Sequence, residues 1–223
     1  MLASTPWVGP SRLIVAEFGS NEQEYITQSQ EKAAPRPRAC PHCGRKGCLI
    51  GHGYYRRKPR DQLRVYRLQI KRWRCKECGR TVSVLPDFLL RYRHYLLRVI
   101  GAVLALRFET MASWAAILAG LAGGGYPALR TIQRWCSSFG EQARRWLKAV
   151  QEWLAQQDSL SGWLDAQGEA LRANSPGQAL LAASEHLLAW GKTQWAAMAD
   201  YGLDKRLSFL WLWGANAGLG RLV

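Results

Sequence analysis

Residues 38–47 read RACPHCGRKG, and residues 72–86 read RWRCKECGRTVSVLP. The run Cys-x-x-Cys-Gly is thus written twice, with Cys40 and Cys43 in the first copy and Cys75 and Cys78 in the second, and 31 residues between the pairs. Thiols at this spacing form a disulfide, a redox pair or half of a metal site. The N-terminal stretch MLASTPWVGPSRLIVAEF lacks the basic-then-apolar run of a signal peptide. A reducing cytoplasm is therefore expected, and there a disulfide is disfavoured. Thioredoxin-like chemistry uses one such pair on a βαβ scaffold, which this segment does not resemble.

The metal reading explains more. A tight turn aims two sulfurs and nearby backbone N–H groups at one ion, and Gly44 and Gly79 supply the positive φ that follows the second cysteine. Two such knuckles at the ends of a β-hairpin make a tetrahedral four-sulfur site, the arrangement of a zinc ribbon holding one structural Zn2+. Paired knuckles also hold iron in rubredoxin-like electron carriers. Here Arg38, Arg45, Lys46, Arg72, Arg74, Lys76 and Arg80 surround the cysteines. A site ringed by cations is suited to phosphate, which favours zinc. Cys48 breaks the spacing and reads as a half-buried thiol. His42 and His52 read as surface or phosphate-contacting imidazoles, because four thiolates already close the tetrahedron.

Charge is concentrated in the same place. Between Arg36 and Arg98 stand 18 Lys/Arg and 3 Asp/Glu, whereas the rest of the chain holds 13 of each, so this segment carries the whole net charge of +15. A polyanion partner follows, nucleic acid before an acidic membrane surface. A membrane-spanning segment is not expected, since no apolar run reaches the roughly 18 residues one needs.

Four regions are expected in an α+β chain, a small β zinc ribbon followed by a mostly helical part. Residues 1–35 hold a strand at Leu13–Phe18 and the start of a polar linker, GSNEQEYITQSQEKAAPRPR, that runs into the ribbon. Residues 36–90 form the ribbon. Its hairpin has one strand through Tyr54-Tyr55-Arg56-Arg57-Lys58, a turn at Pro59-Arg60-Asp61 and a second strand from Leu63 to Trp73. Tyr66, Leu68 and Ile70 face one way along it, Arg67, Gln69 and Lys71 the other. Cations interleaved with aromatics suit a groove-tracking surface, and Arg56, Arg57, Lys58, Lys71, Arg72, Arg74 and Arg80 are the candidate phosphate contacts. Tyr66 and Trp73 read as cover for a thin core.

Residues 91–158 change to helical periodicity. Helices are expected at 92–106 and 111–121, then a turn through Gly123–Gly125 and a third helix opened by Pro127. In that third helix Leu129, Ile132, Cys136 and Phe139 make a buried stripe. Arg130, Gln133, Arg134 and Ser137 occupy the opposite face. This is a helix-turn-helix layout, with arginine able to reach guanine and glutamine adenine in the major groove. A further helix over 141–158 buries Ala143, Trp146, Leu147, Val150, Trp153 and Leu154, as core cover or as a self-association seam for a homodimer. Residues 159–223 suggest two or three short helices.

The run CPHCG…GHGYYRR…IKRWRCKECGRTVSVLPDFLLRYRHY resembles the N-terminal zinc-ribbon module of bacterial insertion-sequence transposases. It is still more similar to a family of uncharacterised bacterial proteins that join this ribbon to a helix-turn-helix, here at ALRTIQRWCSSF. The resemblance covers about residues 36–145. It implies zinc on Cys40, Cys43, Cys75 and Cys78, and double-stranded DNA as the ligand. Cys48 is outside the pattern, and nothing after about residue 158 matches it.

Transposase catalysis needs three carboxylates holding two metal ions on a mixed sheet. The downstream acids Glu141, Glu152, Asp158, Asp165, Glu169, Glu185, Asp200 and Asp204 lie in helical sequence too short for such a fold. No catalytic residues are therefore expected. The sequence reads as a stand-alone, nucleoid-associated DNA-binding protein: an accessory factor, a regulator or a transposase remnant. The alternative is a subunit of a transposase whose catalysis lies on another chain.

Overall fold

The computed structural model describes residues 13–16, 23, 25–26, 36–121, 127–157 and 162–223. The chain is α+β, with the sheet preceding the helices. Its described residues divide into two compact units, one holding those up to Leu96 together with Trp211–Gly220, the other those from Leu97 to Leu210 with Arg221–Val223.

The first unit is built on strands β1 (Leu13–Ala16), β2 (Leu49–Arg57), β3 (Leu68–Cys75) and β4 (Thr81–Pro86), in the order β1-β4-β3-β2. β2 and β3 form the expected antiparallel hairpin, with Tyr54 opposite Lys71, Tyr55 opposite Ile70 and Arg57 opposite Leu68. β4 continues the sheet antiparallel to β3, placing Ser83 opposite Arg72, and β1 lies parallel to β4. Glu17 and Phe18, the end of the expected first strand, lie outside the described residues. Opposite residues in such a ladder share a face, so each register also fixes which side chains are neighbours.

Three expectations about this unit need correction. The second hairpin strand begins at Leu68, not Leu63. The reason is Asp61, whose buried carboxylate accepts the N–H groups of Leu63 and Arg64, each at 2.7 Å, and the Tyr66 hydroxyl at 2.8 Å. Those bonds hold residues 61–66 as a turn. The polar stretch read as a linker contains Tyr25, which is buried against Phe88 and donates its hydroxyl to the Gln69 carbonyl at 2.7 Å. Residues 92–96, expected to be helical, are instead bridged: Arg60 pairs with Tyr95 and Leu89 with Leu96, while the Arg60 N–H reaches the His94 carbonyl at 2.8 Å. These non-local bonds outcompete the first helical turn.

The second unit holds helices α1 (Leu97–Phe108), α2 (Trp114–Gly120), α3 (Leu129–Ala155), α4 (Trp163–Arg172) and α5 (Pro176–Gln194). Short 3-10 turns at Ala196–Met198 and Leu203–Lys205 lead to α6 (Arg206–Asn216). Ser113 caps α2 by accepting the Ala116 N–H, and Ser175 caps α5 by accepting that of Gln178, with Pro176 opening the helix. The two helices expected over 127–139 and 141–158 are one helix of 27 residues. Its buried residues Ile132, Cys136, Phe139, Ala143, Trp146, Val150 and Leu154 follow one another at steps of three or four, so the apolar seam crosses Gly140 unbroken. Leu129, expected in that seam, is 38% exposed, and Trp135 is buried in its stead. α3 packs on α5 and α1, and α5 on α4. Phe108 meets Phe139 at 5.4 Å between ring centroids. The glycines of the expected turn, Gly123–Gly125, lie outside the described residues.

Candidate metal centre

The two cysteine knuckles have the same backbone design. In the first, the Cys40 N–H donates to the Arg45 carbonyl at 2.9 Å and the Gly44 N–H to the Cys40 carbonyl at 2.8 Å. In the second, Cys75 donates to Arg80 at 2.9 Å and Gly79 to Cys75 at 3.0 Å. Gly44 and Gly79 sit at φ 70° and 69°, and a Cβ on either would meet nothing within 4 Å. Glycine is needed there for the left-handed turn, not for space.

The first knuckle leads into β2, and the second joins β3 to β4. Pairing of Leu49 with Cys75 therefore brings the four sulfurs together. Cys40 and Cys78 stand 3.7 Å apart, as do Cys43 and Cys75, and all four sulfurs lie within 4.8 Å of one another. A tetrahedron with metal–sulfur bonds of about 2.3 Å has edges of about 3.8 Å, so this set can hold a metal ion. Among the described residues it is the one such group. The His42 N–H points at the Cys40 sulfur at 3.4 Å and the Cys78 N–H at the Cys75 sulfur at 3.5 Å. Donation from Cys78, outweighing burial, brings the Cys75 thiol down to about 6.

Cys48 is more buried than its half-buried reading implied, and it touches the site. Its sulfur is 3.3 Å from that of Cys75 and 3.0 Å from the Arg45 carbonyl. Burial, with the Cys75 contact, pushes its thiol up to about 11. It stays outside the group of four. His42 and His52 also stay outside, His42 lying 3.4 Å from the Arg80 guanidinium. Among the described residues, the buried apolar side chains behind the cysteines are Leu49 and Val82, with Trp73 half-buried against them as core cover.

The sheet separates the candidate phosphate contacts. Arg56 and Lys71 project from one face, where the Lys71 ammonium lies over the Tyr54 ring at 4.3 Å. Arg57, Arg72 and Arg74 share the opposite face. Lys58 follows the end of β2, and Arg80 belongs to the second knuckle. In the other unit, Arg130, Gln133 and Arg134 are exposed on the first turns of α3, clear of its buried seam. Sequence reasoning did not single out Arg91, Tyr92, His94, Thr81 or Ser83, which line a cleft beside Arg57 and Arg72. The density of cations and rings in LLRYRHY was the available signal, and a helical reading of that stretch concealed it.

Fold and site together define a small sheet built around four cysteines able to hold a metal ion, followed by a helical unit. Residues 40–135 match the family described as "Domain of unknown function (DUF6431)", a span that includes both knuckles and the first turns of α3. No curated protein and no solved structure matches the chain. Among the described residues no helix is long and apolar enough to cross a membrane.

Proposed function

We propose that the chain is a zinc-dependent binder of double-stranded DNA, a transposase-like recognition module associated with a mobile element and without catalytic activity of its own. The observation that carries this reading is that the chain's entire positive excess lies in the segment organised by the four cysteines. Four thiolates in a closed tetrahedron suit structural zinc, and the cations around them supply a sequence-independent attraction to phosphate. Arg130, Gln133 and Arg134 offer the side chains for base contacts. Of the downstream acids, Glu169 lies 3.0 Å from His186, and Glu185 pairs with Arg206, which also pairs with Glu109.

The test is metal analysis of the purified chain followed by salt titrations of duplex binding. One zinc per chain is expected, with affinity falling by roughly 0.9 log units per log unit of salt for each phosphate neutralised. Iron in place of zinc, or a duplex affinity indifferent to salt, would overturn the proposal.

A further inference from the structure

The cleft on the Arg72 face of the sheet has features that neither the metal site nor a duplex-binding surface requires. It measures about 790 Å3 and is lined by Tyr55, Arg57, Arg72, Ser83, Arg91 and Tyr92, among others. Its described lining carries no carboxylate. The Arg72 Nε is buried and has no hydrogen-bond partner among the described residues. A buried donor of this kind is ordinarily satisfied, and a ligand oxygen entering the cleft would satisfy it.

Tyr92 stands at the rim in an unusual state. Its φ of 61° is left-handed, a conformation a bulky residue seldom adopts unless its surroundings impose it. The surroundings here are identifiable. The Arg57 guanidinium donates to the carbonyls of Leu90 and Arg93, on either side of Tyr92. Arg57 is therefore a strut under this loop, not a free phosphate contact. Tyr92 is 67% exposed, with the Arg91 guanidinium over its ring 4.6 Å from the centroid. The fold thus holds an aromatic face in water beside a cationic, acid-free cleft.

We infer that this cleft binds single-stranded DNA, with a phosphate against Arg72 and the Ser83 hydroxyl and an unpaired base stacked on Tyr92. Arginine with hydroxyl donors suits phosphate, and an exposed ring suits a base face, which a paired duplex keeps within its stack. The inference rests on the nucleic-acid reading above but adds a strand-separated segment to it. The chain would then hold duplex and an unpaired stretch by different surfaces.

The test uses the metal-loaded full chain and labelled oligothymidylate, an abasic oligonucleotide of equal length, and duplex. Tyr92→Gly relieves the left-handed backbone, so it removes the ring without threatening the fold. It should weaken oligothymidylate binding about tenfold and leave the abasic strand and the duplex within about twofold. Arg72→Gln should weaken both single strands. Duplex binding without single-strand binding would overturn this inference and leave the proposed function standing. Loss of duplex binding as well would overturn both. Equal effects of Tyr92→Gly on all three ligands would reduce the cleft to part of a duplex footprint. Free thymidine monophosphate binding as tightly as the strand, or anionic phospholipid vesicles displacing it, would replace the strand as ligand.

Discussion

Removing the metal should melt one end of the sheet and leave the rest of the chain folded. Around the four sulfurs the buried apolar side chains are Leu49 and Val82. At about 1.5–3 kcal/mol each, their burial contributes about 3–6 kcal/mol. Structural zinc in comparable small sites contributes about 10–16 kcal/mol at neutral pH. The metal therefore dominates locally, and the knuckles should open without it. At the other end of the hairpin Leu68 and Ile70 are fully buried independently of the cysteines, as is the Ile132–Leu154 seam of α3. Hydrogen exchange followed by mass spectrometry, with and without chelator, is the assay. Amides of Cys40, Gly44, Cys75 and Gly79 should lose protection, and those of α3 and α5 should keep it. Zinc added back should restore the pattern. Knuckle amides that exchange equally slowly after complete metal removal would refute the reasoning.

Cys75→Ser should reproduce the effect of chelation, whereas Cys48→Ser should leave zinc content and exchange unchanged, because serine can keep the donation to the Arg45 carbonyl; metal analysis of the two variants decides this. On acidification the metal should leave as thiolates take up protons. Cys75 has a depressed folded pKa, so its contribution is complete above the ordinary thiol pKa of about 8.5. It is lost as pH falls through about 6. Zinc release monitored by a chromogenic chelator should have its midpoint near or below that value, and a midpoint well above neutrality would contradict the assignment. Gly177→Ala should destabilise the helical unit by about 1–3 kcal/mol despite alanine's better helix propensity, because the added Cβ would stand 2.6 Å from the Phe108 ring; urea unfolding measures the sign. Arg134→Ala should cost about 1–3 kcal/mol on a selected duplex and much less on scrambled DNA. Equal losses in paired titrations would make α3 a phosphate clamp.

The cysteine site was legible in the sequence because each knuckle is a local object. Four consecutive residues and a glycine determine where two sulfurs point, whatever surrounds them. The hairpin was legible for a similar reason, since alternation at Leu68, Gln69 and Ile70 needs only the strand period. The elements misread were those decided by distant partners. RYRHYLL has the composition of a helix start, yet Arg60 and Leu89 bind residues 94–96 into bridges. Tyr25 sits in polar sequence, and its burial depends on distant partners such as the Phe88 ring and the Gln69 carbonyl. Composition located the positive charge but not its division, because which face an arginine takes depends on register across β2, β3 and β4. The same register, with Arg57 bracing the loop at Tyr92, creates the cleft. Thus the sequence by itself determined the four cysteines able to hold a metal ion and the charge. Tertiary pairing alone decided which cations share a surface, because hydrogen bonds between residues far apart in the chain set the two faces of the sheet.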